Sequence, residues 1–154
     1  MKKLVLILLF LTAFNSYADN NIAVINTETY CQWRVNNYAI EEPLCGYIGD
    51  ASRGKAIATD GSKGNCLACH QLPVEGIEAY GTIGPPLDGI ASRLSKGFIR
   101  LRVVDTRNIN PMSIMPGFYR DPELINRPGK PYIGRTFLTA QQVEDVIAYL
   151  VTLK

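Results

Sequence analysis

Hydrophobic positions along the chain fall into two patterns. The first is a solid block: Leu4 to Phe14 is apolar apart from Thr12, with the positive Met1-Lys2-Lys3 before it. Ser16-Tyr17-Ala18 then places small residues where a signal peptidase inspects the chain. This order predicts a secretory signal peptide over residues 1–18, cut after Ala18. An uncleaved anchor would want about 20 apolar residues to cross a bilayer, and the run is shorter than that. The residue right after the cut is Asp19 and not cysteine, so a lipid anchor at a new N-terminal cysteine is not expected.

The second pattern is helical. Val143, Val146, Ile147 and Leu150 recur at i, i+3, i+4 and i+7. Thr139 stands as the cap of that helix, with Gln142 three residues on, the signature of a capping box. Glu144 and Asp145 early in the helix and Lys154 at its end suit the helix dipole. A middle helix is predicted from near Ser95 through Arg100 to Val104, with Phe98, Leu101 and Val104 at helical spacing. Asp50 or Ser52 caps a shorter helix from Arg53 to Thr59, which ends at Asp60-Gly61. The connections are rich in Gly and Pro, strand signal is confined to residues 22–25, and no repeat is visible. The fold class expected is therefore all-α.

Length and charge narrow the picture. The 154 residues suffice for one ordinary domain. Of 16 basic side chains, Lys2 and Lys3 leave with the signal peptide, so 14 basic face 14 acidic residues in the mature chain. A nucleic-acid partner, which would call for a basic patch or high pI, is not indicated.

Four cysteines bring in the chemistry: Cys31, Cys45, Cys66 and Cys69. An exported chain meets an oxidising compartment, where thiols end up paired or bound. Cys66-Leu67-Ala68-Cys69-His70 has the C-x-x-C-H pattern of covalent haem attachment. Two intervening residues let the two thiols reach neighbouring vinyl groups of a porphyrin, and the next residue delivers an imidazole to the iron. A thioredoxin-like C-x-x-C would need a strand before it and a helix after it. Here a loop, Gly61 to Asn65, precedes the motif and Pro73 follows it. A zinc site would need more ligands, and His70 is the only histidine. One haem c, held by Cys66, Cys69 and His70, is the expectation. Cys31 and Cys45 are left to form a disulfide with each other; two free buried thiols are the alternative.

A second axial ligand cannot be histidine. Beyond the signal peptide the sulfur candidates are Met112 and Met115. Pro116 pushes Met115 into an extended conformation that suits a rigid loop presenting its side chain, and Met112 lacks such a proline. Met115 is therefore expected to ligate iron opposite His70; either methionine can instead simply fill a core gap.

These blocks, with Gly84-Pro85-Pro86-Leu87-Asp88-Gly89 and the final Ile147-Ala148-Tyr149-Leu150, resemble the class I cytochromes c. The surrounding text resembles more closely the SoxX subunits of SoxAX sulfur-oxidation cytochromes: Lys63-Gly64-Asn65 before the motif, Gly81-Thr82-Ile83 before the Gly-Pro element, Met115-Pro116-Gly117-Phe118-Tyr119, and Leu138 to Val146. The resemblance covers most of residues 50–154, leaving residues 19–49 as an N-terminal extension that matches nothing diagnostic.

Several expectations come with that resemblance. The Pro85 carbonyl would accept the free N–H of the axial imidazole and Leu87 would pack on the ring. Arg93 would neutralise a haem propionate, or else is a solvated arginine. Gly54 and Tyr149 would mark the close crossing of the terminal helices. The fold implied is a class I cytochrome c-like monohaem domain. The function implied is the electron-accepting subunit of a periplasmic heterodimer with a SoxA-like haem subunit. That complex would oxidatively couple thiosulfate to a cysteine of a sulfur-carrier protein, with a soluble cytochrome as electron acceptor. In an L-cysteine S-thiosulfotransferase of this kind the chain would transfer electrons and not catalyse, since it has no thiol left over. The rival readings are a free-standing periplasmic carrier to a terminal oxidase and a haem enzyme proper. The latter needs an open iron position and polar groups over it.

Overall fold

The computed structural model describes residues 29–154. The expected signal peptide, the cut after Ala18 and the strand signal at 22–25 lie outside the described residues. Four α-helices follow in order: α1 (Ala51–Thr59), α2 (Ile90–Arg93), α3 (Lys96–Asp105) and α4 (Ala140–Leu150). Single 3-10 turns punctuate the connections, and among the described residues the only β feature is an isolated bridge, Asn36 to Ala39. The fold is all-α.

The helix ends follow from the predicted caps. Asp50 accepts from the Arg53 N–H at 2.9 Å, Ser95 from Phe98, and Thr139 from Gln142, whose own side chain returns to the Thr139 N–H at 2.9 Å. Each such cap is worth about 1 kcal/mol, because it satisfies N–H groups that a helix cannot satisfy itself.

Helices α1 and α4 cross at contact distance. A Cβ on Gly54 would overlap the Asp145 carbonyl and press on Tyr149, and one on Gly49 would overlap the Glu144 carbonyl. Small residues here let two backbones meet. Ala58, Val143, Ile147 and Leu101 are buried where α1, α3 and α4 converge. Each large apolar side chain hidden this way contributes roughly 1.5–3 kcal/mol.

The structure adds detail to two of the predicted helices. On α3 the buried face is Ile99, Leu101, Val103 and Val104; Phe98 is only half-buried and carries Arg102 over its ring, 5.1 Å from the centroid. Glu144 and Asp145, placed early in α4 as the dipole favours, are also buried and paired. Glu144 holds Arg100 by two bonds of 2.8 and 3.0 Å, and Asp145 holds Arg53 by two of 2.8 Å. Burial pushes the Asp145 carboxyl up, but Arg53, the Asp50 N–H and Gln141 outweigh it and hold the group below the usual carboxylate value.

Residues 29–49 run over this core. Cys31 and Cys45 are bridged, with Cα atoms 5.6 Å apart. Between them the chain reverses at Asn37 and Tyr38, both in the left-handed region (φ 48° and 60°). Ile40 and Leu44 are buried, and the Leu44 N–H donates to Glu144 at 2.9 Å.

Candidate functional site

The C-x-x-C-H segment is set up by the loop after α1. Asp60 accepts from the Ser62 N–H at 2.8 Å, and the Gly64 N–H returns to the Ile57 carbonyl at 3.1 Å. Gly64 sits so near that carbonyl that a Cβ would come within 2.9 Å of it. Asn65 then adopts a left-handed conformation (φ 47°), which Asn tolerates better than most residues, and redirects the chain into one 3-10 turn, Cys66–Ala68. The His70 N–H closes on the Cys66 carbonyl at 2.8 Å. Two thiols and an imidazole are thus presented from five consecutive residues.

Those thiols are free, whereas Cys31 and Cys45 are joined to each other. Burial pushes the Cys66 thiol up to about 11, so it stays protonated at neutral pH. The Tyr149 hydroxyl is also buried, with no hydrogen-bond partner among the described residues, and burial raises its ionisation above the ordinary tyrosine value.

A second strand of chain is registered onto the motif by three backbone bonds. The Gly81 N–H meets Leu67 at 2.8 Å, Gly84 meets Cys69 at 2.8 Å, and Leu87 meets Gln71 at 2.9 Å. Glycine is required at two of these positions: a Cβ on Gly81 would overlap the Ala68 carbonyl, and one on Gly84 would overlap the His70 ring. The register brings the Pro85 carbonyl 2.7 Å from His70 Nδ1. With Nδ1–H donating there, Nε2 keeps its lone pair for a metal, and the ring orientation is fixed. Leu87 is buried in the core, while the Pro85 ring is exposed.

Met115 and Met112 differ sharply. Met112 is 85% exposed; Met115 packs against the core. Asn110 accepts from the Met112 N–H and Ser113 from the Met115 N–H, shaping the loop that separates them. Met115 borders a cavity of about 240 Å³ whose walls include Pro116, Tyr132 and Phe137 but not Cys66, Cys69 or His70. Arg107, Arg120 and Arg135 also face it; Asp105 pairs with the first two at 3.0 and 2.9 Å.

Arg93, expected as a propionate partner or a solvated arginine, is exposed beside the Gly-Pro element. Its guanidinium donates to the Asp88 carbonyl at 2.7 Å and the Pro86 carbonyl at 3.2 Å, bracing the loop after the Gly-Pro element. The three arginines beside Met115 were not singled out from sequence. Two of them, Arg107 and Arg120, flank the methionine loop on either side, which is the signal that could have found them.

This arrangement fits a covalently held haem. It supplies unpaired thiols at the right spacing, an imidazole with one nitrogen fixed, a glycine cradle against that imidazole, and a shielded thioether on a separate loop. Among the described residues no cluster of three or more His, Cys, Asp or Glu is assembled that could hold a bare metal ion.

Residues 51–154 match the cytochrome c family. A "Cytochrome c-553-like" protein of a Synechocystis strain is 33% identical over 105 residues, which are 68% of this chain and 70% of that protein. Among solved structures, a chain of SoxXA from P. pantotrophus superposes with a TM-score of 0.71 at 37% identity, covering 79% of this chain and 94% of that one.

Proposed function

The chain belongs to the cytochrome c family, and from that premise we propose that it is the electron-accepting subunit of an exported SoxAX-type heterodimer. As a SoxX-like class I cytochrome it carries a single covalent haem c and transfers electrons. The observation that carries the finer reading is the likeness to a SoxXA chain, which spans 94% of that chain.

In this reading Cys66 and Cys69 would form the thioethers, and His70 and Met115 would hold the iron. When bound, the haem supplies a one-electron store whose potential a Met/His ligand pair raises. The Pro85 carbonyl holds the Nδ1 proton of His70, and so makes Nε2 a better donor. Packing against the core on one side would help hold the Met115 side chain in place. Arg107, Arg120 and Arg135 offer countercharge to carboxylates beside Met115, in a region where Asp105 already orders two of them. Arg93, braced on the Asp88 and Pro86 carbonyls, keeps its positive charge near the His70 loop.

The net reaction of the complex joins a carrier cysteine to thiosulfate. One S–S bond forms, R–S⁻ and S₂O₃²⁻ give R–S–S–SO₃⁻, and two electrons leave. They pass one at a time through this chain to a soluble cytochrome. The sulfur chemistry takes place on the SoxA-like partner, because the disulfide and the haem account for all four cysteines here. Ile83, beside the His70 loop, and Met112 and Ile114, beside Met115, are 68–85% exposed and suit a docking face for that partner. Residues 1–18 direct export to the periplasm and are removed.

Co-purification of the mature chain from periplasm, with mass spectrometry of what accompanies it, tests this. A stoichiometric haem-containing subunit, and loss of thiosulfate oxidation on deletion, are expected. A monomer whose deletion leaves thiosulfate oxidation intact would replace this reading with a free-standing carrier.

A further inference from the structure

Contacts from the N-terminal extension converge on a residue just after the methionine loop. Tyr119 lies four positions after Met115 and is 1% exposed. Three groups of the extension converge on it. The Cys31 N–H donates to its hydroxyl at 2.8 Å, the Trp33 indole N–H donates to its carbonyl at 3.3 Å, and the Tyr30 ring stacks on its ring with centroids 5.0 Å apart. The Cys45 sulfur, the far side of the disulfide, is 3.8 Å from the same hydroxyl. From the other side, the Tyr119 N–H is fixed to the Val104 carbonyl at 3.2 Å, the Phe118 N–H to Val103 at 3.1 Å, and the Leu138 N–H to the Phe118 carbonyl at 3.0 Å.

We propose that residues 30–45, closed by the Cys31–Cys45 disulfide, form a strap that positions Tyr119 and through it Met115, so that an intact strap strengthens the methionine as an axial haem ligand. The inference rests on the assignment of Met115 as that ligand. Little freedom separates the two residues. Pro116 has a fixed φ, Gly117 is hemmed in by Arg120 and Asp105, and Phe118 is bonded at both its N–H and its carbonyl. A methionine thioether is a weak ligand that other groups displace as pH rises. What holds it is largely the loop that presents it, so freeing the loop's anchor lowers its effective concentration at the iron. The extension is itself anchored at its far end: Arg100 donates to the Ile40 carbonyl at 2.6 Å, and the Ile40 N–H donates to Gly97 at 3.1 Å. The Leu44 N–H adds a bond to Glu144 of α4 at 2.9 Å, so the strap is fixed to both helices as well as to Tyr119. Tyr119 is a positioning residue and touches no substrate.

The test uses ferric holo-protein and follows the weak near-infrared charge-transfer band of methionine-ligated haem as pH is raised. In the Cys31→Ala/Cys45→Ala double variant and in Tyr119→Phe, the midpoint of band loss should fall by about one pH unit, a tenfold weaker methionine ligation. Asp50→Ala, which removes the α1 cap without touching the strap, should lower the unfolding midpoint but leave the pH midpoint at its native value. Native pH midpoints in both strap variants, whatever their stability, would overturn the proposal. If the double variant yields no holo-protein, Tyr119→Phe decides alone. Met115→Ala separates the two layers: a band that survives it refutes the ligand assignment and the strap with it. A band that it abolishes, with unmoved midpoints in the strap variants, refutes the strap only.

Discussion

The buried pair between Arg100 and Glu144 offers a sharp energetic test. Both side chains are 2% exposed, and the guanidinium meets the carboxylate through Nε at 2.8 Å and a terminal nitrogen at 3.0 Å. The pair also serves the backbone of the extension: Arg100 donates to the Ile40 and Glu41 carbonyls, and Glu144 accepts from the Leu44 N–H. Glu144→Ala strands a buried cation and orphans one N–H. Removing one partner of such a pair costs about 3–5 kcal/mol. In many proteins, exchanging both partners for apolar residues restores the loss. Here Arg100→Met/Glu144→Leu should recover only part of it, because the Leu44 N–H and the Ile40 carbonyl stay unsatisfied at about 1–3 kcal/mol each. Denaturant unfolding of the ferric holo-protein, with the two single variants and the double in one cycle, reads these values. A cost below about 1 kcal/mol for Glu144→Ala, or full recovery in the double variant, would refute the reasoning.

Other outcomes are as definite. Met115→Ala should lower the reduction potential and remove the near-infrared band, whereas Met112→Ala, at a position 85% exposed, should change neither in spectroelectrochemical titration. Gly54→Ala should destabilise by about 1–3 kcal/mol, read by thermal unfolding, since its Cβ overlaps the Asp145 carbonyl. The Asp145 carboxyl titrates below its ordinary 3.8 when folded, so its contribution is present above about pH 4 and lost as pH falls through the depressed value. Asp145→Asn should flatten that acid limb in urea midpoints measured against pH.

Much of the site is readable from the sequence because it is local. Cys66 to His70 is five residues whose spacing is dictated by the porphyrin, and Thr139 with Gln142 announces a helix start through one turn of chain. Asp50, Ser95 and Thr139 cap the three longer helices where the residue types predict, while α2, only four residues long, gives no periodic signal. What escaped is non-local. Glu144 looks like a helix-dipole residue until Arg100, 44 positions earlier, folds against it. Phe98 fits the apolar stripe of α3, yet Ile99 takes the buried place, with Gly97 pressed against Glu41 of the extension. The path of residues 29–49 depends on Tyr119, some 88 residues from Cys31, and no periodicity encodes that pairing. The bonds from Arg93 to the Asp88 and Pro86 carbonyls of its own loop likewise carry no sequence signal.

The central claim is that electrons released by thiosulfate coupling enter the haem of this chain. Rapid mixing of the oxidised, reconstituted heterodimer with thiosulfate and the thiol form of the carrier protein tests it directly, with the visible absorption of this haem followed in time. The account predicts that the haem is reduced as the carrier is modified. With excess soluble cytochrome present, two equivalents of that acceptor should be reduced per carrier cysteine conjugated. A carrier conjugated at the full rate while this haem stays ferric, or at an equal rate when the chain is left out, would contradict it.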